Sequence, residues 1–561
     1  MSGNARVGLC LAAILVAAGV SAGEDAPAEK LELKTPQGVV YTVTADGLSS
    51  IRVGDREVAR GGWRAASGEG VFNVGTGKVD AKEILGKSLE LVGERHARVR
   101  HVHKDIVAVF DYLFDGEDMT IRARVENNHP TEDLAVLGFS GLTFDFRRSP
   151  TGRMPLWHVS YLRAHGVGLC HPSFAVRIGG SYAVGDGFGV GLAPLAPRLG
   201  RSLLLWDYVD WSPDKRENVP QRNVSYLVPE PVPAQGARTF SLKLRVSANT
   251  DWRHLLQPYK DHFQATLGPC QYKADHRLFA QACVNKAPQY ITPQNPYGFH
   301  DGFRRLDLAE GAKAFCDTLV PALKDASGQG VLIWGQGGEN PRGAMYRPDF
   351  DILPPEVEAN WPTLASRFRD AGLRLGVCAR PGEIAYRTDW KQDGTLRINP
   401  DDPAHIQMMV KRFKAMADKG CTAFYLDTFG SSLDDVKAVI AYRKALGPDV
   451  QTYVEHACDA ILPYSGIYTE LSFDKRSNSY GLIFMDLHTW EIFRWLVPGV
   501  NCVVRCNADP KDLPDGVEKP FPFMFRNHLT PLIADWLVKR DAPELKPLAD
   551  DYLDDKGQWR K

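Results

Sequence analysis

The sequence predicts a chain of two folded parts, an antiparallel β super-sandwich followed by a (β/α)8 TIM barrel. Residues 31–248 consist of short segments in which apolar and polar residues alternate, separated by turn dipeptides such as Asp46-Gly47 and Asp115-Gly116. This pattern is typical of sandwiches of antiparallel strands. In the second half, short apolar segments alternate with amphipathic segments of helical period, which indicates parallel βα units. The chain of 561 residues is long enough for more than one domain.

The N-terminus has the composition of a secretory signal peptide. Arg6 supplies a positive charge, residues 7–20 are apolar and small, and residues 20–22, Val-Ser-Ala, fit a cleavage site of small residues. An apolar segment of this length is short for a membrane span. We therefore expect residues 1–22 to be removed and the mature protein to be secreted or periplasmic, without membrane contact.

The composition is that of an ordinary globular protein, with 44% hydrophobic and 24% charged residues. The formal net charge of -1 gives no reason to expect nucleic acid or an anionic membrane as a partner. The cysteines form no C-x-x-C pair and several lie in apolar segments. We expect them to be mostly small buried residues, and we predict no metal site and no cofactor.

Residues 249–265 are predicted to form a helix that links the two parts. Asp251 can cap its first turn, and apolar residues recur along it at helical spacing. We expect the barrel over residues 266–545 and a C-terminal tail over residues 546–561. The apolar positions of the linker helix are Leu255, Tyr259 and Phe263.

Six strands of the predicted barrel are visible as short apolar segments. The helix before the third of them is the clearest, with Asp402 as cap, Pro403 in the first turn and Gly420 at the exit. The first and last strands are weakly marked, and we place them near 283–291 and 521–527. An open doubly wound sheet is the alternative, but no Gly-rich phosphate loop follows any strand. The visible strands lie within 330–336, 373–382, 422–426, 449–457, 466–472 and 499–507.

Polar side chains follow these strands at their C-terminal ends, where the active site of a (β/α)8 barrel lies. Asp427, Glu455 and Glu470 each follow a different strand. Asp427 and Glu455 are one βα unit apart, so we expect them to end neighbouring strands and to be the catalytic pair. The expected substrate-binding residues are Trp334, Gln336, Arg380, Glu383, Glu470, Asp474, Arg505 and Asn507.

Asp427 lies in the stretch TAFYLDTFGSS, residues 422–432, and could be a helix cap, a metal ligand or a catalytic carboxylate. Ser431 or Ser432 can cap the helix that follows, so a further cap is not needed. No second set of ligands converges on it in the sequence, which leaves a metal site unsupported. The catalytic role is therefore favoured. For Glu455 the competing interpretation is a structural ion pair with an arginine.

Hydrolysis of a glycosidic bond requires this kind of residue set. One carboxylate attacks or stabilises an oxocarbenium-like centre, and a second carboxyl group protonates the leaving oxygen. Arginine and amide groups bind sugar hydroxyls, and tryptophan faces pack against sugar rings. Neighbouring carboxylates also drive their pKa values apart, which separates the acid from the nucleophile. The strand ends thus predict a glycosidase acting on an oligosaccharide or glycan.

The segments RLGVCARPGE and INPDDPAHIQMMVKRFKAMADKGCTAFYLDTFG resemble the core of retaining glycoside hydrolases that carry a β-sandwich before the barrel, the α-galactosidase clan and its relatives. The resemblance covers about residues 361–475 and implies that Asp427 is the nucleophile. It departs at Tyr425, because that clan has a lysine two positions before its nucleophile. The clan also takes its acid, an aspartate, from a later strand.

An aspartate followed by a glutamate on the next strand is closer to the α-amylase superfamily and the endo-α-N-acetylgalactosaminidases. By that similarity Glu455 is the acid/base, with Glu470 and Asp474 as alternatives. The chain is thus expected to be an exported retaining glycosidase for an α-linked sugar. The main alternative is a catalytically inactive carbohydrate-binding protein on the same fold, and a metal-dependent barrel hydrolase is a weaker one. Sugar, linkage and oligomeric state are not predicted.

Overall fold

The computed structural model describes residues 30–61, 64–66, 79, 83–134, 137–153, 178–195, 203–208, 220–228, 231–285, 288–338, 349–385, 395–430, 433–506 and 513–560. The predicted signal peptide, Ser431, Ser432 and Asn507 lie outside these residues. Within the described ranges, no helix is both long enough and apolar enough to cross a membrane.

In the first part of the chain, the described residues form two 8-stranded antiparallel sheets. One has the order β1-β2-β3-β4-β10-β15-β14 with β5 paired to β10, and the other has the order β11-β12-β13-β16-β9-β8-β7-β6. The strands are β1 (Lys30–Lys34), β2 (Val39–Thr44), β3 (Gly47–Val53), β4 (Arg56–Arg60), β5 (Arg64–Ala66), β6 (Gly86–Gly93), β7 (His96–Val102), β8 (Ile106–Asp115), β9 (Asp118–Asn127), β10 (Leu137–Asp145), β11 (Thr151–Arg153), β12 (Ser181–Val184), β13 (Gly189–Pro194), β14 (Leu203–Tyr208), β15 (Gln221–Val228) and β16 (Gly236–Ser247).

One apolar core fills the space between these sheets. Tyr41 and Phe144 from the first sheet and Phe110 and Tyr112 from the second are all buried in it. The Tyr112 hydroxyl also accepts a 3.2 Å hydrogen bond from the Leu48 amide of the first sheet. Because each strand alternates buried and exposed side chains, its inner face packs against the opposite sheet. The predicted β super-sandwich is confirmed.

The helix Trp252–Leu267 joins the sandwich to the barrel. The Asp251 side chain caps it by accepting a hydrogen bond from the Arg253 amide. The helix buries Leu255, Tyr259 and Phe263 in an apolar core that also contains residues of both neighbouring parts. This shared core makes the helix a packed element between the sandwich and the barrel.

Asp459 marks the polar centre of this junction. It is 3% exposed and lies in the short 3₁₀ segment Asp459–Ile461 of the barrel. Its Oδ2 accepts hydrogen bonds from the Tyr259 hydroxyl at 2.5 Å and from the Gly179 amide at 2.8 Å. One barrel carboxylate therefore contacts both the linker helix and the sandwich. Both donors satisfy a charge that burial would otherwise make unfavourable.

Eight parallel strands close into a barrel, because β27 pairs with β17 and β23 pairs with β24. The predicted TIM barrel is thereby confirmed. The barrel strands follow one another around the ring in chain order, as right-handed βα units require. They are β17 (Phe279–Cys283), β18 (Gly330–Trp334), β19 (Arg374–Ala379), β22 (Cys421–Leu426), β23 (Gln451–Val454), β24 (Gly466–Asp474), β26 (Cys502–Cys506) and β27 (Thr530–Ala534).

Helices cover the outside of the barrel, and two hairpin elements, β20 (Glu383–Ala385) with β21 (Thr395–Arg397) and β25 (Ser479–Leu482) with β24, lie beyond its strands. The final helix continues seven residues into the segment predicted as a tail, to Tyr552. The described helices after the linker are Ala309–Asp325, Pro355–Asp370, Pro403–Asp418, Leu433–Leu446, Leu487–Leu496, Pro520–Arg526 and Val538–Tyr552.

The expected positions of the first and last barrel strands are wrong. The first strand is Phe279–Cys283, upstream of 283–291, where prolines such as Pro288 cannot donate to a sheet ladder. The last strand is Thr530–Ala534, whereas Pro520–Arg526 is a helix. Proline is well suited to a first helical turn, and this helix buries its apolar residues against the barrel.

The C-terminal segment closes the N-terminal face of the barrel. The Trp559 ring packs between the rings of His276 and His528, with centroid separations of 5.1 and 4.9 Å. The His276 amide donates to the Gly557 carbonyl at 2.8 Å, and Gln558 donates to Ala274 at 2.5 Å. Because the first strand starts directly after these contacts, the end of the chain holds the start of the barrel in place.

Candidate active site at the barrel mouth

Aromatic side chains fill the barrel below its mouth. Residues two apart on a strand face the same side, so the positions two residues after an interior side chain also point inward. Tyr425 and Tyr453 point into the barrel. Asp427 and Glu455 come two residues later on the same strands, so their side chains also point toward the barrel axis. The interior cluster consists of Phe279, Leu332, Trp334, Cys378, Ala423, Tyr425, Tyr453, Tyr468, Val503 and Leu532.

Asp427 ends β22 and is held on both carboxylate oxygens. Oδ1 accepts a 3.2 Å hydrogen bond from the Tyr425 hydroxyl, and Oδ2 accepts one of 3.1 Å from Thr428 Oγ1. Arg380 Nε lies 3.4 Å from Oδ2, and the Asp427 side chain is 13% exposed. Its amide donates to the Ala379 carbonyl at 2.8 Å. One cation and two hydroxyl donors thus hold the Asp427 carboxylate in place at the end of β22.

Glu455 ends the neighbouring strand, β23. Its Oε2 accepts a 2.8 Å hydrogen bond from the Thr428 amide and lies 3.4 Å from His456 Nε2. Burial is the largest cause that raises the pKa of Glu455, and the negative charge of Asp427 raises it further. The Thr428 amide acts in the opposite direction but does not cancel these effects. Glu455 therefore keeps its proton to a higher pH than an exposed glutamate.

The two carboxylates start from adjacent points of one sheet. Leu426 of β22 is paired with Val454 of β23, and the Glu455 amide continues this ladder to the Leu426 carbonyl at 3.3 Å. Asp427 and Glu455 are the next residues of the two strands. Since paired strands lie about 4.8 Å apart, the backbones of these residues are roughly 5 Å apart. The predicted pair is therefore brought together on neighbouring strands.

Thr428 is a member of the site that the sequence analysis did not single out. Its φ of 51° lies in the left-handed region, which is unfavourable for a β-branched residue. This conformation directs its amide to Glu455 and its hydroxyl to Asp427. This left-handed conformation cannot be predicted from the neighbouring sequence, because it depends on the contact between Thr428 and Glu455 of another strand.

A third carboxylate lies on the next strand around the ring. Glu470 Oε1 accepts a 2.9 Å hydrogen bond from the Tyr468 hydroxyl and lies 3.5 Å from Arg505 Nη1. The Arg505 side chain is 44% exposed, so part of its guanidinium is accessible at the mouth. Arg380 and Arg505 therefore flank a row of three carboxylates.

The other predicted substrate-binding residues lie in different surroundings. Trp334 is 7% exposed and packs on the Tyr425 ring at 4.9 Å, below the mouth. Gln336 is 3% exposed and donates to the backbone carbonyls of Phe350 and Cys378. Both side chains support the site from beneath.

Glu383 accepts a 3.2 Å hydrogen bond from Arg380, so this arginine contacts two carboxylates. Asp474 lies at the far end of β24, where it accepts hydrogen bonds from the Arg476 amide and the Ser477 hydroxyl within the turn to β25. The structure thus joins Glu383 to the cluster and leaves Asp474 in a hairpin. Asn507 lies outside the described residues.

The segment after β27 also contributes to the mouth and was missed because this strand was misplaced. Asp535 is 4% exposed and forms two hydrogen bonds with Arg304, at 2.7 and 2.5 Å. The next residue, Trp536, is 65% exposed. Cys283 ends the neighbouring strand β17. In the part of the chain that the structure describes, no group of three His, Cys, Asp or Glu side chains is arranged to hold a metal ion.

No family model and no curated protein matches the chain. Among solved structures it is similar to the α-N-acetylgalactosaminidase NagBb from Bifidobacterium bifidum in complex with GalNAc, with a TM-score of 0.51 and 11% identity over 78% of each chain. This similarity shows a shared fold.

Two further solved structures match more of the chain at lower TM-scores. A sulfoquinovosidase from E. rectale has a TM-score of 0.48 and 10% identity, over 92% of this chain and 83% of that chain. The galactosidase domain of an α-galactosidase-sucrose kinase has a TM-score of 0.44 and 11% identity, over 93% of this chain and 85% of that one. All three proteins are named as glycosidases.

Proposed function

We propose that this protein is a retaining glycoside hydrolase that acts on an α-linked oligosaccharide or glycan. The observation that carries the proposal is the pair of carboxylates at the barrel mouth, which lie in opposite environments. Asp427 faces the Arg380 guanidinium, whereas burial and the charge of Asp427 raise the pKa of Glu455. A carboxylate that contacts a cation, beside a carboxyl group of raised pKa, can supply a nucleophile and an acid at one pH.

Each carboxyl group then has one role in each half of the reaction. Asp427 attacks the anomeric carbon while Glu455 gives its proton to the leaving glycosidic oxygen. A glycosyl ester forms on Asp427, and Glu455 is left ionised. Glu455 next takes a proton from water, the resulting hydroxide equivalent attacks the anomeric carbon, and Asp427 leaves as a carboxylate. Two inversions at the same carbon give overall retention.

The spacing of the strands supports retention over inversion. Retaining enzymes have carboxyl groups about 5–5.5 Å apart, and inverting enzymes have them about 6.5–9.5 Å apart to hold a water. Asp427 and Glu455 extend two paired strands from a common register point, and Thr428 donates to both. A single residue that contacts both carboxylates favours the shorter separation.

The sugar class rests on similarity of fold alone. The α-N-acetylgalactosaminidase of similar fold holds GalNAc, so we infer an α-linked sugar for this chain as well, although one barrel fold hosts many specificities. We further propose export through residues 1–22, which is consistent with a glycan outside the cytoplasm.

Turnover by paired isosteric variants tests this function. The purified protein is screened against aryl α- and β-glycosides, and the released anomer is identified by proton NMR. We expect Asp427→Asn to reduce kcat about 10³-fold or more. Glu455→Gln should be most impaired with poor leaving groups, because these need the proton. Asp402→Asn is the matched control, since asparagine keeps the helix cap.

A glycosyl ester trapped on Asp427 and released as the retained anomer would establish the mechanism. Wild-type turnover in both Asp427→Asn and Glu455→Gln would overturn the proposed function. Release of the inverted anomer would overturn the retaining mechanism while leaving a glycosidase.

A further inference from the structure

Arg380 contacts two carboxylates with one edge of its guanidinium group. Its Nε lies 3.4 Å from Oδ2 of Asp427, and its Nη2 donates a 3.2 Å hydrogen bond to Oε1 of Glu383. The Nε–H and Nη2–H groups of an arginine form a rigid fork that matches the two oxygens of a single carboxylate. In this site the two N–H groups of the fork are divided between two different residues.

Other arginines of this protein use the same two nitrogens to bind one carboxylate. Arg304 binds Asp535 through Nε at 2.7 Å and Nη2 at 2.5 Å, and Arg305 binds Asp307 through the same atoms at 2.8 and 2.6 Å. Bidentate pairs with an aspartate are also formed by Arg245, Arg277 and Arg540. The contact of Arg380 with Asp427 differs from all of these, because it is single and longer.

The local sequence fixes Glu383 beside Arg380. Residues 380–383, Arg-Pro-Gly-Glu, form a turn in which the Glu383 amide donates to the Arg380 carbonyl at 3.2 Å. Proline is favoured at the second position of such turns, which bring the first and fourth Cα atoms within about 7 Å. Glu383 then enters β20, which is paired with β21. The chain therefore places Glu383 next to the guanidinium without any contribution from Asp427.

The pairing of two strands brings Asp427 to the same guanidinium. Ala379 of β19 is paired with Leu426 of β22, and Arg380 and Asp427 are the next residues of these strands. The Arg380 side chain is 21% exposed and the Asp427 side chain 13%. Water therefore screens this contact less than it screens an ion pair on the open surface.

We propose that Glu383 is a positioning residue that holds Nη2 of Arg380 and so prevents a bidentate pair between Arg380 and Asp427. The inference rests on the proposed function and deepens it, because it concerns the reactivity of the nucleophile. A bidentate pair is stronger than a single contact. It would engage both oxygens of Asp427 and stabilise the carboxylate before it attacks, which slows formation of the glycosyl ester.

The second half of the reaction responds differently to the same cation. When water attacks the glycosyl ester, Asp427 leaves as a carboxylate, and the guanidinium stabilises the negative charge that develops on it. A closer contact between Arg380 and Asp427 would not slow this step. Glu383 therefore matters for formation of the ester and not for its hydrolysis. A residue that only binds substrate or only supports the fold does not produce this difference.

Separate measurement of the two half-reactions tests this role. A fluorinated glycosyl fluoride of the sugar identified by the screen traps the ester. Mass spectrometry of the intact protein then gives the rate constant for ester formation at saturation and the rate constant for ester hydrolysis. We expect Glu383→Ala to reduce the first about 10-fold and to leave the second unchanged or higher. Glu383→Gln keeps an uncharged acceptor and should lie between Glu383→Ala and the wild type.

A second background and a control variant complete the experiment. The ammonium group of lysine cannot form a bidentate pair, so Glu383→Ala should change ester formation less than about twofold in an Arg380→Lys background. Glu491→Ala is the matched control, because Glu491 binds Arg253 at 2.5 Å in a contact between the barrel and the linker helix. Both of its rate constants should equal those of the wild type.

Three results with Glu383→Ala would overturn the inference. They are an equal decrease in both rate constants, weaker binding of the trap with unchanged ester formation, and rate constants equal to those of Glu491→Ala. If the trap labels Asp427 in the wild type and one of these results is found, only this inference fails. If the trap labels no carboxylate in the wild type, the proposed retaining mechanism fails, and the inference fails with it.

Discussion

The backbone amide of Thr428 donates a 2.8 Å hydrogen bond to Oε2 of Glu455, and it does so from a left-handed conformation with φ of 51°. Strain of this kind costs about 1–3 kcal/mol and persists only where the surrounding structure enforces it. The strained residue thus holds the proposed acid in place on the strand next to the nucleophile.

Replacement of Thr428 should separate stability from activity. Thr428→Gly relieves the strain. This gain offsets the roughly 0.5–1 kcal/mol by which the greater conformational freedom of glycine in the unfolded chain lowers the free energy of unfolding. We expect a Tm no lower than that of the wild type. Loss of the Oγ1 contact to Asp427 should reduce kcat about 10-fold. Thr428→Ser keeps the hydroxyl and should keep most activity. A lower Tm with unchanged kcat in Thr428→Gly would contradict this account.

Amide variants of the two carboxylates should change stability in opposite directions. The raised pKa of Glu455 means that the native state holds a proton that the unfolded state has lost, so stability falls as pH rises through this window. Glu455→Gln removes this loss and should raise Tm at pH 7 by about 1–3 °C, with no gain below the ordinary pKa of glutamate. Asp427→Asn removes one of the two carboxylates that contact Arg380 and should lower Tm. Differential scanning calorimetry at pH 7 and at a pH below the ordinary pKa of glutamate measures the Tm of each variant. A change of Tm in the same direction for both variants at pH 7 would contradict this prediction.

The closed end of the barrel should lose stability in mild acid. Burial lowers the pKa of His276 to about 4, below its usual value of about 6.5. The unfolded state therefore binds the proton first, and stability falls as pH decreases from about 6.5 to about 4, by up to roughly 3 kcal/mol. Urea unfolding across this range should show a smaller decrease for His276→Gln than for the wild type. If the free energy of unfolding decreases equally with pH in His276→Gln and in the wild type, His276 is not the cause of the acid sensitivity.

Trp536 should bind a sugar unit beyond the bond that is cleaved. Its side chain is 65% exposed, while the preceding Asp535 is fixed by Arg304. An exposed aromatic face on a rigid support suits packing against a sugar ring. We expect Trp536→Ala to raise KM for oligosaccharides several-fold and to leave small aryl glycosides unaffected. Leu91→Ala, at a 55% exposed sandwich position, is the control. Equal effects on both substrate sizes would count against this subsite.

The sequence was sufficient where local signals coincide with tertiary structure. The helix Pro403–Asp418 begins at Asp402, whose side chain accepts from the Ala404 amide, and the apolar strand Cys421–Leu426 follows it. Because the barrel places the end of every strand at one rim, strand ends alone locate Asp427 and Glu455. The physical reason is that helix caps and buried strands are determined mainly by residues close together in the sequence.

Local signals fail where distant contacts decide. Thr530–Ala534 follows an apolar helix, so both segments look alike in sequence and the last strand was misplaced. Asp474 ends an apolar run, but β24 continues past the mouth into a hairpin that uses its carboxylate. The left-handed Thr428 depends on a partner from another strand. In each case the missing information lies in residues far away along the chain.

The contacts of Asp459 with the linker helix and the sandwich imply that the barrel cannot be separated from these two parts without loss of stability. A barrel separated from the sandwich and the helix would keep a carboxylate that is 3% exposed in the whole chain, without the Tyr259 and Gly179 donors that now serve it. Loss of these two hydrogen bonds and of the packing around them would destabilise the segment that carries Asp459, which lies four residues beyond Glu455. We therefore expect activity only in proteins that contain the sandwich, the linker helix and the barrel together, whether they arise by recombination in evolution or by truncation of the gene.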